Sequence, residues 1–156
     1  MAEVKEFFLD TEFIDSPNKI DLISIGVIDE GGREFYAIST EFNPRKASPW
    51  VKENVLVPDP HVRDLWSFQP DYKVHFYGYY ADYDWVAFCQ LFGKMIDLPR
   101  GFPNYCRDIK QRSDSLGDGW LPPQVGDGHQ ALDDARYVRR CHYFLNNVER
   151  ERSQSA

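Results

Sequence analysis

Residues 5–13, KEFFLDTEF, constrain this chain more than any other stretch. Side chains two apart on a strand share a face. Phe8, Asp10 and Glu12 therefore fall on one side, and Phe7, Leu9, Thr11 and Phe13 on the other. A strand that is apolar on both faces belongs in the middle of a sheet, with a layer packed on each side. Two carboxylates on such a strand are costly, because acids are rarely buried unless paired or bound to a cation. The pair alone would also suit a strand end emerging into solvent.

The rest of the chain supplies the neighbours such a strand needs. Residues 21–29 (DLISIGVID) read as a second strand, 30–32 as a hairpin turn and 33–40 as a third strand. Residues 43–49 form a loop. Ser48-Pro49 has the form of a helix cap followed by proline at the first helical position, starting a short helix through residue 55. Residues 57–72 hold three prolines and read mostly as loop. A fourth strand follows at 74–79, a helix at 82–92, a loop at 99–103 and a short fifth strand at 105–109. Residues 113–128 are rich in Gly, Asp and Pro and read as a surface loop. The longest helix spans 131 to about 150. Strands first, then alternating strand and helix, predict an α/β fold with a mixed five-stranded sheet flanked by helices. Residues 1–150 are expected to form one domain. Residues 151–156 are expected to be a polar tail, with fraying from Glu149 onward.

With 156 residues, 42% hydrophobic and 15% aromatic, the chain has the makings of a single packed core. No apolar run is long enough to span a membrane, and MAEVKEFFLD lacks the pattern of a signal peptide. Cys89, Cys106 and Cys141 form no CxxC pair. Reduced thiols and a cytoplasmic location are expected, with Cys89 and Cys141 as core fillers. The net charge of −7 argues against a broad basic surface for nucleic acid. Bound divalent ions would offset part of it.

Two further acids are selected by helical phase. On a helix, Asp84, Phe88, Leu91 and Phe92 form one stripe with Trp85 beside it, while Asp82 falls on the opposite side. Asp84 thus faces the protein, and Asp82 is a cap or a surface charge. In the last helix Ala131, Val138, Cys141, Leu145 and Val148 form an apolar stripe. Asp134 sits within it, while Asp133 shares the far side with Arg136, Arg139 and Arg140. His129 is five residues before Asp134. Five helical residues would turn it well away, so His129 belongs on the loop before the helix, free to lean toward the same acids. His61, His75 and His142 show no acidic partner pattern and are read as structural. Four converging carboxylates would make an oxygen cage for hard divalent cations, and a histidine beside it is a ready proton acceptor.

Asp10-Thr11-Glu12, then Asp84, then His129 with Asp134, resembles the three motifs of the DEDDh exonucleases, which have a ribonuclease-H-like fold. The runs DTEFIDSPNKIDLISIGVID, FYAISTEFNP and YGYYADYDWVAFCQLFG look most similar to the polyadenylate-specific 3′–5′ exoribonuclease AS group. Residues 57–72 are shorter than the helical sequence that such relatives place before the second motif.

The resemblance implies hydrolysis of single-stranded RNA from its 3′ end with two ions, Mg²⁺ or Mn²⁺, per site, releasing nucleoside 5′-monophosphates. Asp10 would bridge both ions, Glu12 and Asp134 would help hold the ion that activates water, and Asp84 would serve the outer ion. His129 would be the general base. Phe13 and Ile14 would pack on the terminal base, Trp85 is either a further platform or a core residue beside the helix stripe, and Glu12 and the Thr11 backbone would contact the terminal ribose. Adenylate tails as substrate rest on the subgroup alone, and such folds commonly form homodimers. The same residues would also serve a DNA exonuclease or a degrader of short oligoribonucleotides. A degenerate relative would be a non-catalytic RNA-binding module.

Overall fold

The computed structural model describes residues 4–39, 73–117, 121–125 and 128–155. Among them, β1 (Val4–Ser16), β2 (Lys19–Asp29), β3 (Glu34–Ile38), β4 (Lys73–Gly78) and β5 (Arg107–Asp108) form one sheet in the order β3-β2-β1-β4-β5. The first three strands are antiparallel, and β4 and β5 run parallel to β1. Three helices flank this sheet: α1 (Asp82–Gln90), α2 (Ile109–Ser115) and α3 (Ala131–Ser155). The architecture is the expected ribonuclease-H-like mixed sheet, with β1 at its centre.

The alternation in β1 builds two cores. Phe8 faces α3 and joins Ile28, Tyr77, Ile109, Val138, Cys141 and Leu145. Leu9 faces α1 and joins Val27, Val74, Phe76, Trp85 and Phe88. Both Phe8 and Leu9 are fully buried, each worth about 1.5–3 kcal/mol. Phe76 centres the second core, its ring 4.9–5.5 Å from those of Phe7, Trp85, Phe88 and Phe102. Cys89 and Cys141 are buried as expected, and all three thiols are free. No helix among the described residues is long and apolar enough to cross a membrane.

Several expectations change. The helix α2 falls where the short fifth strand and a loop were expected. Its signal is Asp108, whose carboxylate accepts from Gln111 N at 2.8 Å as an N-cap. The α1 helix stops at Gln90, so Leu91 lies at its C-cap and is exposed rather than part of the buried stripe. Beyond residue 150, α3 runs on to Ser155 instead of fraying, with Ser153 and Ser155 hydroxyls bonding carbonyls one turn back.

His142 does have an acidic partner. It is buried, with Nε2 3.4 Å from Glu6 Oε2 and Nδ1 3.3 Å from Arg112. Burial, with Arg112 beside it, holds its pKa below the ordinary value. Glu6 lies more than a hundred residues away in sequence, so no local pattern announced the pair. The loops read at 43–49 and 57–72 and the short helix read at 48–55 lie outside the described residues.

Candidate active site

The site exists because β4 stops early. It pairs with β1 only as far as Phe8–Tyr77. Residues 10–13 of β1 therefore project past the end of β4, where the chain turns through Tyr79 and Tyr80 into α1. A cleft of about 560 Å³ opens there, walled by β1, the β4–α1 turn, α1, the segment before α3 and α3 itself. Asp10, Thr11, Glu12, Phe13, Asp84, His129 and Asp134 all line it.

Asp10, Glu12 and Asp134 bring carboxylate oxygens within 4.8 Å of one another. A glycine makes this approach possible. Gly26 pairs with Asp10 across β1 and β2. A Cβ on Gly26 would lie 2.4 Å from Ala131 C and O and from Leu132 Cα. The first turn of α3 thus rests on bare backbone over the Asp10–Gly26 pair, and Asp134, three residues on, is delivered to Asp10. Gln130 starts that helix by accepting from Asp133 N through its side chain at 2.8 Å. Asp133 points away, exposed and paired with Arg136.

Asp134 is also held by the segment before the helix. Its Oδ2 accepts from His129 N at 2.8 Å, and its Oδ1 accepts from Gln124 Nε2. His129 has a left-handed backbone (φ 65°), which turns the chain so that residue 129 borders the cleft outside the helix.

Asp84 is buried and stands apart from the three-carboxylate group. Its Oδ1 accepts from Thr11 N at 2.9 Å and from Thr11 Oγ1 at 2.5 Å. The Thr11 N–H is therefore occupied by Asp84 rather than offered to a ribose. Asp82 is exposed in the first turn of α1.

The acids burden one another. Asp10 is raised well above the carboxylate range, first by burial and then by Asp84, Asp134 and Glu12. Burial, then Asp134 and Asp84, push Glu12 up to about 7. Asp84 is pushed up to about 6 by burial, against the two Thr11 hydrogen bonds. Burial also raises Asp134, while Gln124 and His129 oppose it. An all-oxygen donor set crowded enough to hold its own protons fits a hard divalent cation, which would supply the missing positive charge.

The structure does not bring every residue expected to meet the terminal base to the cleft. Ile14 is buried and does not line it. Trp85 is core: its ring stacks on Phe88 at 5.2 Å. Phe13 does line the cleft, edge-on to Tyr83 at 5.6 Å. Tyr79, Tyr80, Tyr83 and Tyr137 also line the cleft and were missed, as was Gln124. The density of tyrosine in YGYYADYDW was the available signal for three of them. Gly26, in the interior of a strand, was a signal for close backbone approach that went unread.

A ribonuclease-H-like sheet that gathers three carboxylates in a cleft beside its central strand defines an α/β domain with a candidate active site, an oxygen-donor set that would suit a divalent cation. The chain is 39% identical over 159 residues to the 3′-5′ exoribonuclease Rv2179c of Mycobacterium tuberculosis strain ATCC 25618 / H37Rv, a match spanning 92% of this chain and 94% of the relative. The 3′-5′ exoribonuclease MT2234.1 of strain CDC 1551 / Oshkosh matches equally, at 39% identity over the same shares. No family model matches. The chain belongs to the family of these 3′-5′ exoribonucleases.

Proposed function

We propose that this protein is a metal-dependent 3′–5′ exoribonuclease of the DEDDh kind, removing nucleoside 5′-monophosphates from single-stranded RNA ends, with adenylate-rich ends as the preferred substrate. The observation that carries the reading is the meeting of Asp10, Glu12 and Asp134 within 4.8 Å in one cleft with His129, in a relative of named exoribonucleases. Adenylate preference rests on the sequence resemblance alone.

Asp10, Glu12 and Asp134 would hold Mg²⁺ or Mn²⁺, and Asp84 would hold a second ion through its Oδ2, since its Oδ1 is committed to Thr11. Bound ions of this kind supply charge stabilisation for the attacked phosphate and a more acidic water. His129 borders the cleft from the turn before α3, where its imidazole would accept the proton of the attacking water. A placed base contributes on the order of 10²–10⁴ in rate. Phe13 and Tyr83 would hold the base of the leaving nucleotide by stacking. The substrate would be cytoplasmic RNA.

The test compares oligo(A), oligo(U) and single-stranded DNA with Mg²⁺ and identifies the released nucleotide. Asp10→Asn and Asp134→Asn should abolish release with the fold retained, and Asp133→Asn and Asp82→Asn should not. Robust turnover by Asp134→Asn would sink the mechanism. Release from DNA alone would sink the RNA assignment.

A further inference from the structure

The cleft holds two separate aromatic groups, and only one is accounted for by the leaving nucleotide. Phe13 and Tyr83 form the first. The second runs from Tyr80 to Tyr79, centroids 4.8 Å apart, and from Tyr79 to Tyr137 at 6.0 Å. It is built by the β4–α1 turn and α3.

Tyr80 is the informative member. It is 64% exposed, its ring meeting Tyr79 edge-on and otherwise open to solvent. Its backbone is left-handed (φ 52°), a conformation that glycine or asparagine accepts readily and a bulky residue resists. The turn's backbone has its own support: Ala81 N donates to Asp108 Oδ2 at 2.8 Å, and Asp82 N donates to the Tyr80 carbonyl at 2.9 Å, while the Tyr80 side chain also hydrogen-bonds that of Tyr79. A tyrosine in this place costs the fold stability and presents an exposed ring to the cleft.

Cations accompany this second group. The Arg140 guanidinium lies 5.4 Å from the Tyr137 ring centroid, and among the described residues it bonds a carbonyl, that of Pro123, rather than a carboxylate. Lys110 lies in the electrostatic field of Tyr79 and Tyr80, although it also pairs with Asp114. Arginine over tyrosine recurs elsewhere in the fold, at Tyr77, Tyr105 and Tyr143, but Tyr137 is the one of these four rings that lines the cleft. A leaving nucleotide carries only the scissile phosphate, whereas the retained strand brings further phosphates. The group with cations therefore suits the retained strand.

We infer that Tyr80 is a stacking platform for the base on the retained side of the scissile phosphate, with Tyr79, Tyr137 and Arg140 continuing the track for single-stranded RNA. The inference rests on the exoribonuclease reading of the same site and adds the path of the strand. Single-stranded nucleic acid is bound in this manner, by aromatic faces beside cations, without base-pair readout.

The experiment uses an adenylate decamer and the same decamer with an abasic penultimate nucleotide. Tyr80→Asn keeps a residue suited to the left-handed turn and removes the ring. It should raise KM for the intact decamer about 10-fold, with kcat within about twofold and Tm not lowered. Tyr80→Phe should restore the native KM. The abasic substitution should weaken native protein by a similar factor and cost Tyr80→Asn nothing further, because both remove the same contact. An unchanged KM in Tyr80→Asn, or a full abasic penalty persisting in that variant, would overturn the stacking role. Failure of the native protein to release nucleotides from any RNA is a distinct result, and would overturn the function itself.

Discussion

Gly26→Ala tests how the site is assembled, because it adds one methyl group outside the carboxylate cluster. The added Cβ would lie 2.4 Å from backbone atoms of Ala131 and Leu132. Ordinary contact begins near 3.4 Å, so the start of α3 must recede by about 1 Å. Asp134 sits in that first turn, and its oxygen must stay with those of Asp10 and Glu12 inside a 4.8 Å group. A misplacement of about 1 Å can cost on the order of 10²-fold in rate. Mg²⁺ is exacting about ligand geometry, so its apparent affinity should fall as well. The overpacking itself should destabilise by about 1–3 kcal/mol, with Tm falling roughly 2–4 °C per kcal/mol for a chain of this size. The assay is steady-state nucleotide release from RNA well below Tm, with Mn²⁺ affinity and thermal unfolding measured alongside. Because the obstructing atoms are backbone, truncating Ala131 to glycine should not rescue the variant. Native rate and native metal affinity in Gly26→Ala would refute the claim that α3 is docked through this glycine.

Two other outcomes follow from the crowded acids. Asp10, Glu12, Asp84 and Asp134 all have raised pKa values, so the metal-free folded state binds protons more tightly than the unfolded chain. Their contribution is then fully present below pH about 4 and is lost as pH rises through the folded values of about 6 for Asp84 and about 7 for Glu12. Thermal unfolding in EDTA should show Tm declining from pH 5 to pH 8, and Mn²⁺ should raise Tm more at pH 8 than at pH 5; a pH-independent Tm would contradict the electrostatics. Thr11→Val removes one of two donors to Asp84 Oδ1, raises the Asp84 pKa further and should weaken divalent binding severalfold by calorimetry, with Thr11→Ser restoring it. Unchanged affinity in Thr11→Val would mean that Asp84 needs no support from that hydroxyl.

The net charge of −7 and the site are connected. Burial, and then the neighbouring acids at Asp10 and Glu12, raise the pKa values of the cleft carboxylates, so ionising them in the folded chain is unfavourable. Divalent cations would offset this. The relatives share sequence along 92% of the chain, and the structure gathers three of its carboxylates in one cleft.

What the amino-acid sequence determined by itself is whatever depends on period. The two-residue alternation of Phe8 and Leu9 placed β1 at the sheet centre between two layers. The helical phase separated Asp134 from Asp133 and Asp84 from Asp82, because one position on a helix rotates a side chain by about 100°. The five-residue gap put His129 on the turn before α3. Only the tertiary structure decided contacts between distant residues. Thr11 meets Asp84, 73 positions away, and takes up one of its oxygens. Glu6 meets His142, and Gly26 meets the backbone of Ala131. Trp85 and Tyr83 are two residues apart on α1, yet one stacks in the core while the other reaches the cleft. Periodicity reports which side of an element is apolar. Which atoms meet across the molecule is set by where β4 ends and how closely α3 can approach the sheet, and neither is written in any local window.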